Sequence, residues 1–199
     1  MKVTIENGTK PEFSDLFKLR VVDIYFQAFG QKITSLIKQE SKAREIIKKS
    51  INYDMAFYAL DKNKNLLGFL GFQTTEIGFI EFEFSYFKEI FKPIPAFLKW
   101  MILRVFRPRV RVNEIRIDSI AVDASQRGNN IGTLLIERFF SFAKLNDFER
   151  TYLEVVDTNP RAKKLYERLG FKTKKTVNFY FFTRSAGFSA EDIMYKTLI

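Results

Sequence analysis

The chain contains no cysteine and no histidine in its 199 residues. Those absences remove disulfides, Cys/His zinc sites, a Ser-His-Asp triad and a thiol nucleophile. Any proton acceptor must be a carboxylate, a lysine, a tyrosine or a held water. Long apolar runs are also missing. Nothing approaches the ~20 residues needed to span a bilayer, and the best stretch, Pro93 to Phe106, is broken by Lys99 and Arg104. Residues 1–20 carry charges throughout and lack the apolar segment of a signal peptide, so a cytoplasmic location is expected. There is no internal repeat, no low-complexity tract and no linker.

What the chain does have is apolar mass: 46% of it is hydrophobic, and phenylalanine alone accounts for 23 residues. That fits one compact domain, 1–199, better than two. The formal charge is +10, which suits nucleic acid, an anionic membrane, an anionic cofactor, or solubility alone. No RNP, helix-turn-helix or zinc-finger pattern is present, so nucleic acid is not favoured.

Periodicity predicts a strand over residues 2–5, helices over 13–29 and 35–51, and a hairpin from 56–60 and 66–75. Residues 76–84 alternate as a further strand. A basic aromatic insertion follows, at about 76–113 overall, with Pro93 and Pro95 dividing it into short helical pieces. Then come strand 114–122, helix 131–145, strand 151–156, helix 160–169 closed by Gly170, and strands 172–182 and 192–198. Strands alternating with helices, together with hairpins, predict an α/β domain with a mixed sheet.

Two segments carry chemistry. The first is IRIDSIAVDASQRGNNIGTLLIERFF, in which a strand ends at Val122 and a turn leads directly into a helix. Such a turn can be an ordinary connection. Its backbone N–H groups and the helix N-terminus also suit a phosphate or pyrophosphate. The second is NPRAKKLYERLGF, Asn159 to Phe171.

Together these segments resemble the GNAT superfamily of N-acetyltransferases. RGNNIG, Arg127 to Gly132, fits the family's (Q/R)xxGx(G/A) loop except at Asn130, where the family usually has Gly. Asn is the residue next most tolerant of positive φ, so the loop is expected to keep its shape. NPRAKKLYERLGF fits N-x-x-A-x-x-L-Y-x-x-x-G-F at every fixed position. The resemblance implies a mostly antiparallel mixed sheet flanked by helices, with a splayed central strand pair, and acetyl-CoA as co-substrate with no metal. Backbone groups of Ile120, Ala121 and Val122 would bind the pantetheine arm. Arg127, Gly128, Asn129, Asn130, Ile131, Gly132 and Thr133 would cradle the pyrophosphate, with Asn159 and Lys163 adding cofactor contacts.

Tyr166 corresponds to the family's general acid. Its place on one helical face with Ala162, Leu165 and Leu169 also reads as core packing. Glu154 resembles the base of the ribosomal-protein alanine N-acetyltransferase type, with Asp118 or a water as the other possibilities. The implied reaction is direct transfer to a primary amine, of a small molecule or a protein, in a ternary complex. A non-catalytic acetyl-CoA-binding module is the alternative.

The insertion stands outside the resemblance. Seven cations between Ser85 and Asn113 face one acid, Glu89, and are interleaved with apolar side chains around Trp100. Three readings stay open: a capping helix pair, a wall or lid of the acceptor pocket, or a peripheral membrane contact. Phe-rich edges also suit a homodimer.

Overall fold

The computed structural model of the chain describes residues 3–9, 13–105, 107–179 and 186–198. Its strands are β1 (Thr4–Asn7), β2 (Ala56–Leu60), β3 (Leu66–Gln73), β4 (Glu114–Val122), β5 (Arg150–Val156), β6 (Lys172–Asn178) and β7 (Ala190–Thr197). They form one sheet in the order β1-β2-β3-β4-β5-β7-β6. Every neighbouring pair is antiparallel except β4 and β5. The helices are α1 (Asp15–Leu36), α2 (Glu40–Ser50), α3 (Phe84–Ile90), α4 (Pro93–Val105), α5 (Ile131–Leu145) and α6 (Pro160–Arg168). This is the mixed, mostly antiparallel architecture with a splayed central pair that the resemblance implies.

Both faces of the sheet are covered, which explains why β2 and β3 are buried at every position and read as continuous apolar runs. Strand alternation divides the core. Tyr58, Phe69 and Ala121 face α1, α2 and α3, while Phe57, Leu70, Ile117 and Leu153 face α5 and α6. The β2–β3 hairpin is closed by Asp61, whose carboxylate accepts from the backbone N–H of Asn63 (2.8 Å) and Asn65 (2.9 Å).

Several expectations need correction. α1 does not stop near Gly30 but runs on to Leu36. Gly30 is buried there, and the Phe26 ring lies 3.1 Å from where a Cβ would stand, so this glycine makes room for packing instead of ending a helix. Residues 76–84 form no strand. Thr74 and Ile77 close a tight turn (Thr74 N–H to Ile77 O, 2.8 Å), and the backbone that follows pairs with its neighbours only at two isolated bridges among the described residues, Gln73↔Gly78 and Ile51↔Ile80. Their alternation serves burial of Phe79 against Phe69, with no ladder. α2 begins at Glu40, later than expected. The expected strands over 2–5 and 172–182 extend into residues outside those described. Among the described residues no helix is long and apolar enough to cross a membrane.

Candidate active site

β4 and β5 pair at three positions only: Glu114↔Arg150, Ile115↔Thr151 and Arg116↔Tyr152. Beyond them the strands part. β5 stays paired with β7 up to Val156. β4 stays with β3, but its register slips: Ile117 faces Phe72, Ser119 faces Gly71, and Asp118 between them has no partner. One surplus residue is a β-bulge, which bends the strand carrying it. The result is a wedge between residues 117–122 and 153–156.

Backbone direction alternates along β4. Asp123 N–H bonds Leu67 O of β3 at 2.9 Å, and Ala121 O points at Gly68 of β3. The peptide groups of Ile120 and Val122 therefore turn to the wedge, as an unpaired strand edge. Of the three residues expected to hold the pantetheine arm, Ala121 is the exception: its own groups belong to β3.

At the open end of the wedge the chain turns into α5. Asp123 starts the turn, its Oδ1 accepting from Ser125 N–H (2.9 Å) and Oγ (2.5 Å), while Arg20 of α1 pairs with Oδ2. The Ser125 bonds, opposed by partial burial and aided by Arg20, hold this carboxyl below the usual range. Arg127, Gly128, Asn129 and Asn130 are exposed. Gly128 has φ +87°, and a Cβ there would meet nothing within 4 Å. Asn130 adopts φ 61°, ψ 10°, the left-handed conformation the loop was expected to keep. Its side chain does not cap the helix, which leaves the first-turn N–H groups of α5, at Ile131, Gly132 and Thr133, directed outward at the positive end of the helix dipole. Gly132 itself faces Leu165, whose Cδ2 would sit at 3.5 Å from a Cβ, an ordinary contact.

α6 begins at Asn159, which accepts from Ala162 N–H at 3.2 Å, with Pro160 in the first turn. Lys163 is held by Asp192 of β7 (2.8 Å), which also accepts from Thr176 Oγ1 (2.5 Å). Tyr166 is buried among the α5–α6 core residues, edge-on to Phe171. Burial raises its phenol, keeping the proton on. The hydroxyl bonds no described residue, yet it is not among the fully enclosed atoms that lack a partner.

The other face of the wedge holds a charge cluster. Arg116, 8% exposed, donates to Glu154 Oε2 from Nε (2.8 Å), to Asp118 Oδ1 from Nη1 (2.6 Å) and to Gln73 Oε1 from Nη1 (3.1 Å). Burial works against its charge, but Asp118 and then Glu154 outweigh it, and the guanidinium stays charged. Two carboxylates on one guanidinium leave the cluster with one net negative charge. Tyr25 of α1 lies over it, its phenol raised by burial and then by Asp118. The segment leaving α4 closes the back: Gln73 Nε2 donates to Pro108 O (3.2 Å) and Tyr152 OH to Arg109 O (3.1 Å). Sequence reasoning set Glu154 and Asp118 against each other as alternatives and missed that Arg116 joins them. The signal was Arg116-x-Asp118 on one strand, a spacing that puts both on one face. An open depression of about 330 Å³ beside Met55, Phe72 and Phe148 lies at the far end of α5, away from this site.

The family model for the acetyltransferase (GNAT) family matches residues 20–171. Solved structures share the fold. An N-acetyltransferase from Kribbella flavida has a TM-score of 0.59 at 17% identity, over 98% of this chain and 97% of that one. The ribosomal-protein-S18-alanine N-acetyltransferase from Escherichia coli has 0.57 at 18%, over 99% and 94%. An N-acetyltransferase from Staphylococcus aureus Mu50 has 0.60 at 20%, over the full length of both chains. No curated protein matches the chain by sequence.

Proposed function

The chain belongs to the acetyltransferase (GNAT) family, and from that premise we propose that it moves an acetyl group from acetyl-CoA directly to a primary amine in a ternary complex. The observation that carries this reading is the wedge, with unpaired peptide groups along one edge, an exposed helix N-terminus at its mouth and a net-negative cluster behind it. When bound, acetyl-CoA supplies the activated acetyl carbonyl. Ile120 and Val122 hold its pantetheine arm as a sheet edge holds an added strand. The N–H of Val122 is suited to polarise the thioester oxygen. Residues 127–133 receive the pyrophosphate, the exposed loop and first-turn N–H groups of α5 supplying donors. Asn159 can serve through its amide nitrogen, since its oxygen caps α6. Lys163 would have to leave Asp192 to reach a phosphate.

The acceptor arrives as an ammonium, and the Arg116–Asp118–Glu154 cluster suits a cation. Arg116 reaches Glu154 from Nε (2.8 Å) and Nη2 (2.7 Å), both at Oε2, which leaves Oε1 to take the ammonium proton directly or through water. The amine nitrogen then attacks the carbonyl carbon, the carbon–sulfur bond breaks, Tyr166 gives its proton to the departing thiolate, and the second proton of the attacking nitrogen passes to the Tyr166 oxygen through water, leaving a neutral amide. The domain takes in the whole of 1–199, insertion included, and works in the cytoplasm. A protein amine, such as the ribosomal-protein alanine in the S18 enzyme's name, and a small-molecule amine both fit the cluster. The test is a screen of amines and peptides with acetyl-CoA, reading release of free CoA. Turnover on at least one primary amine is expected. Acetyl-CoA binding with no turnover on any of them would make the chain a binding module instead.

A further inference from the structure

α4 has two apolar faces, and the fold uses one. Toward the protein, Ala96 is buried, the Trp100 Nε1–H donates to Phe82 O (3.0 Å), and Lys99 Nζ donates to Leu36 O at the end of α1 (2.7 Å). On the opposite side stand Ile94, Phe97, Leu98, Met101 and Ile102, from 75% to 38% exposed. Their spacing is i, i+3, i+4, i+7, i+8, one continuous helical stripe. Scattered exposed apolar residues are ordinary, but five in register on a single helix mark a contact surface.

The charges say what covers it. No acid occurs in α4. Lys92 stands just before it and Arg104 in its last turn, and Arg109 and Arg111 follow in the segment leaving it; all four are exposed and pair with no described carboxylate. Arg107 is paired with Glu81, Lys99 is used on Leu36, and Arg104, though exposed, lies over the Trp100 ring at 5.7 Å from its centroid. A second copy of this chain is a poor occupant. A two-fold contact would set the stripe against itself and bring Lys92 and Arg104 of both copies together without a counter-charge from α4. The complementary surface is apolar within and anionic at its rim.

We infer that the outer face of α4 docks on an anionic lipid bilayer, with the five apolar side chains entering the acyl boundary and the flanking cations at the headgroups. α4 lies in the plane of the interface and does not cross it. The segment that leaves α4 supports Gln73 and Tyr152 through Pro108 O and Arg109 O, so docking holds the acceptor side of the wedge close to the membrane.

The test is co-sedimentation of the full chain with phosphatidylcholine vesicles, with and without phosphatidylglycerol. Binding is expected to the anionic vesicles, weakening as salt rises. The double substitution Ile94→Ser with Leu98→Ser keeps the charge and alters only exposed positions. It should lower the partition coefficient by about tenfold or more, with thermal stability unchanged. Three results would overturn the inference: no binding to anionic vesicles, equal binding by the double variant, or a dimer in sedimentation velocity that the double variant abolishes.

Discussion

Arg116 holds two carboxylates with one side chain, and that fixes how each responds to substitution. Arg116→Met would leave Asp118 and Glu154, both mostly buried, as unpaired like charges. A loss of about 3 kcal/mol is expected by chemical denaturation, and Asp118→Asn with Glu154→Gln should be non-additive in a double-mutant cycle. Tyr166 separates packing from chemistry. Because its hydroxyl bonds no described residue, Tyr166→Phe should leave the melting temperature unchanged or slightly raised. In the proposed role the same change lowers kcat by about a hundredfold with acetyl-CoA affinity intact. Unchanged turnover would reduce Tyr166 to a core residue. Asp123 is an acid-sensitive group. Its folded-state carboxyl is depressed by Ser125 and Arg20, so its contribution is full above the unfolded value of about 3.9 and is lost as pH falls through the lower folded value. Asp123→Asn should remove that part of the acid limb, measured by denaturation at a series of pH values.

At the scale of elements, the turn into α5 depends on a left-handed residue. Asn130→Gly should leave stability nearly unchanged. Asn130→Val should cost about 1–2 kcal/mol and weaken acetyl-CoA binding by calorimetry, whereas Gly132→Ala should be tolerated, since its added carbon would meet only Leu165. This region was also the most legible in the sequence. β4 and α5 occupy the expected residues, 114–122 and 131–145, because strand alternation, turn glycine and helical period are all local. Asn130 was legible for the same reason: its tolerance of positive φ is intrinsic. Elsewhere local signals misled. Gly30 reads as a helix end because nothing local shows that Phe26 needs its space. Residues 76–84 alternate like a strand, but no neighbouring edge is available for a ladder. The Arg116 cluster joins Gln73 and Glu154, 43 and 38 residues away along the chain. Such partners are set by register, which a single sequence does not display.

At the scale of the molecule, two cores share one sheet. α5 and α6 bury one face, which the proposed function makes the cofactor side, while α1, α2 and the insertion bury the other, which it makes the acceptor side. The sheet between them opens at one place, and one residue opens it. Pairing on either side of the bulge is already in step, since Ile117↔Phe72 and Ser119↔Gly71 would be consecutive partners if Asp118 were absent. Deleting Asp118 should therefore straighten β4, keep every downstream side chain on its present face, and let the strand close on β5. The deletion variant is expected to fold, by circular dichroism and a cooperative melt, and to show no thermal shift with acetyl-CoA. A single codon would then separate a sheet that receives a ligand from a continuous one that does not, so a lineage carrying this fold could lose its cleft in one genetic event and restore it in another.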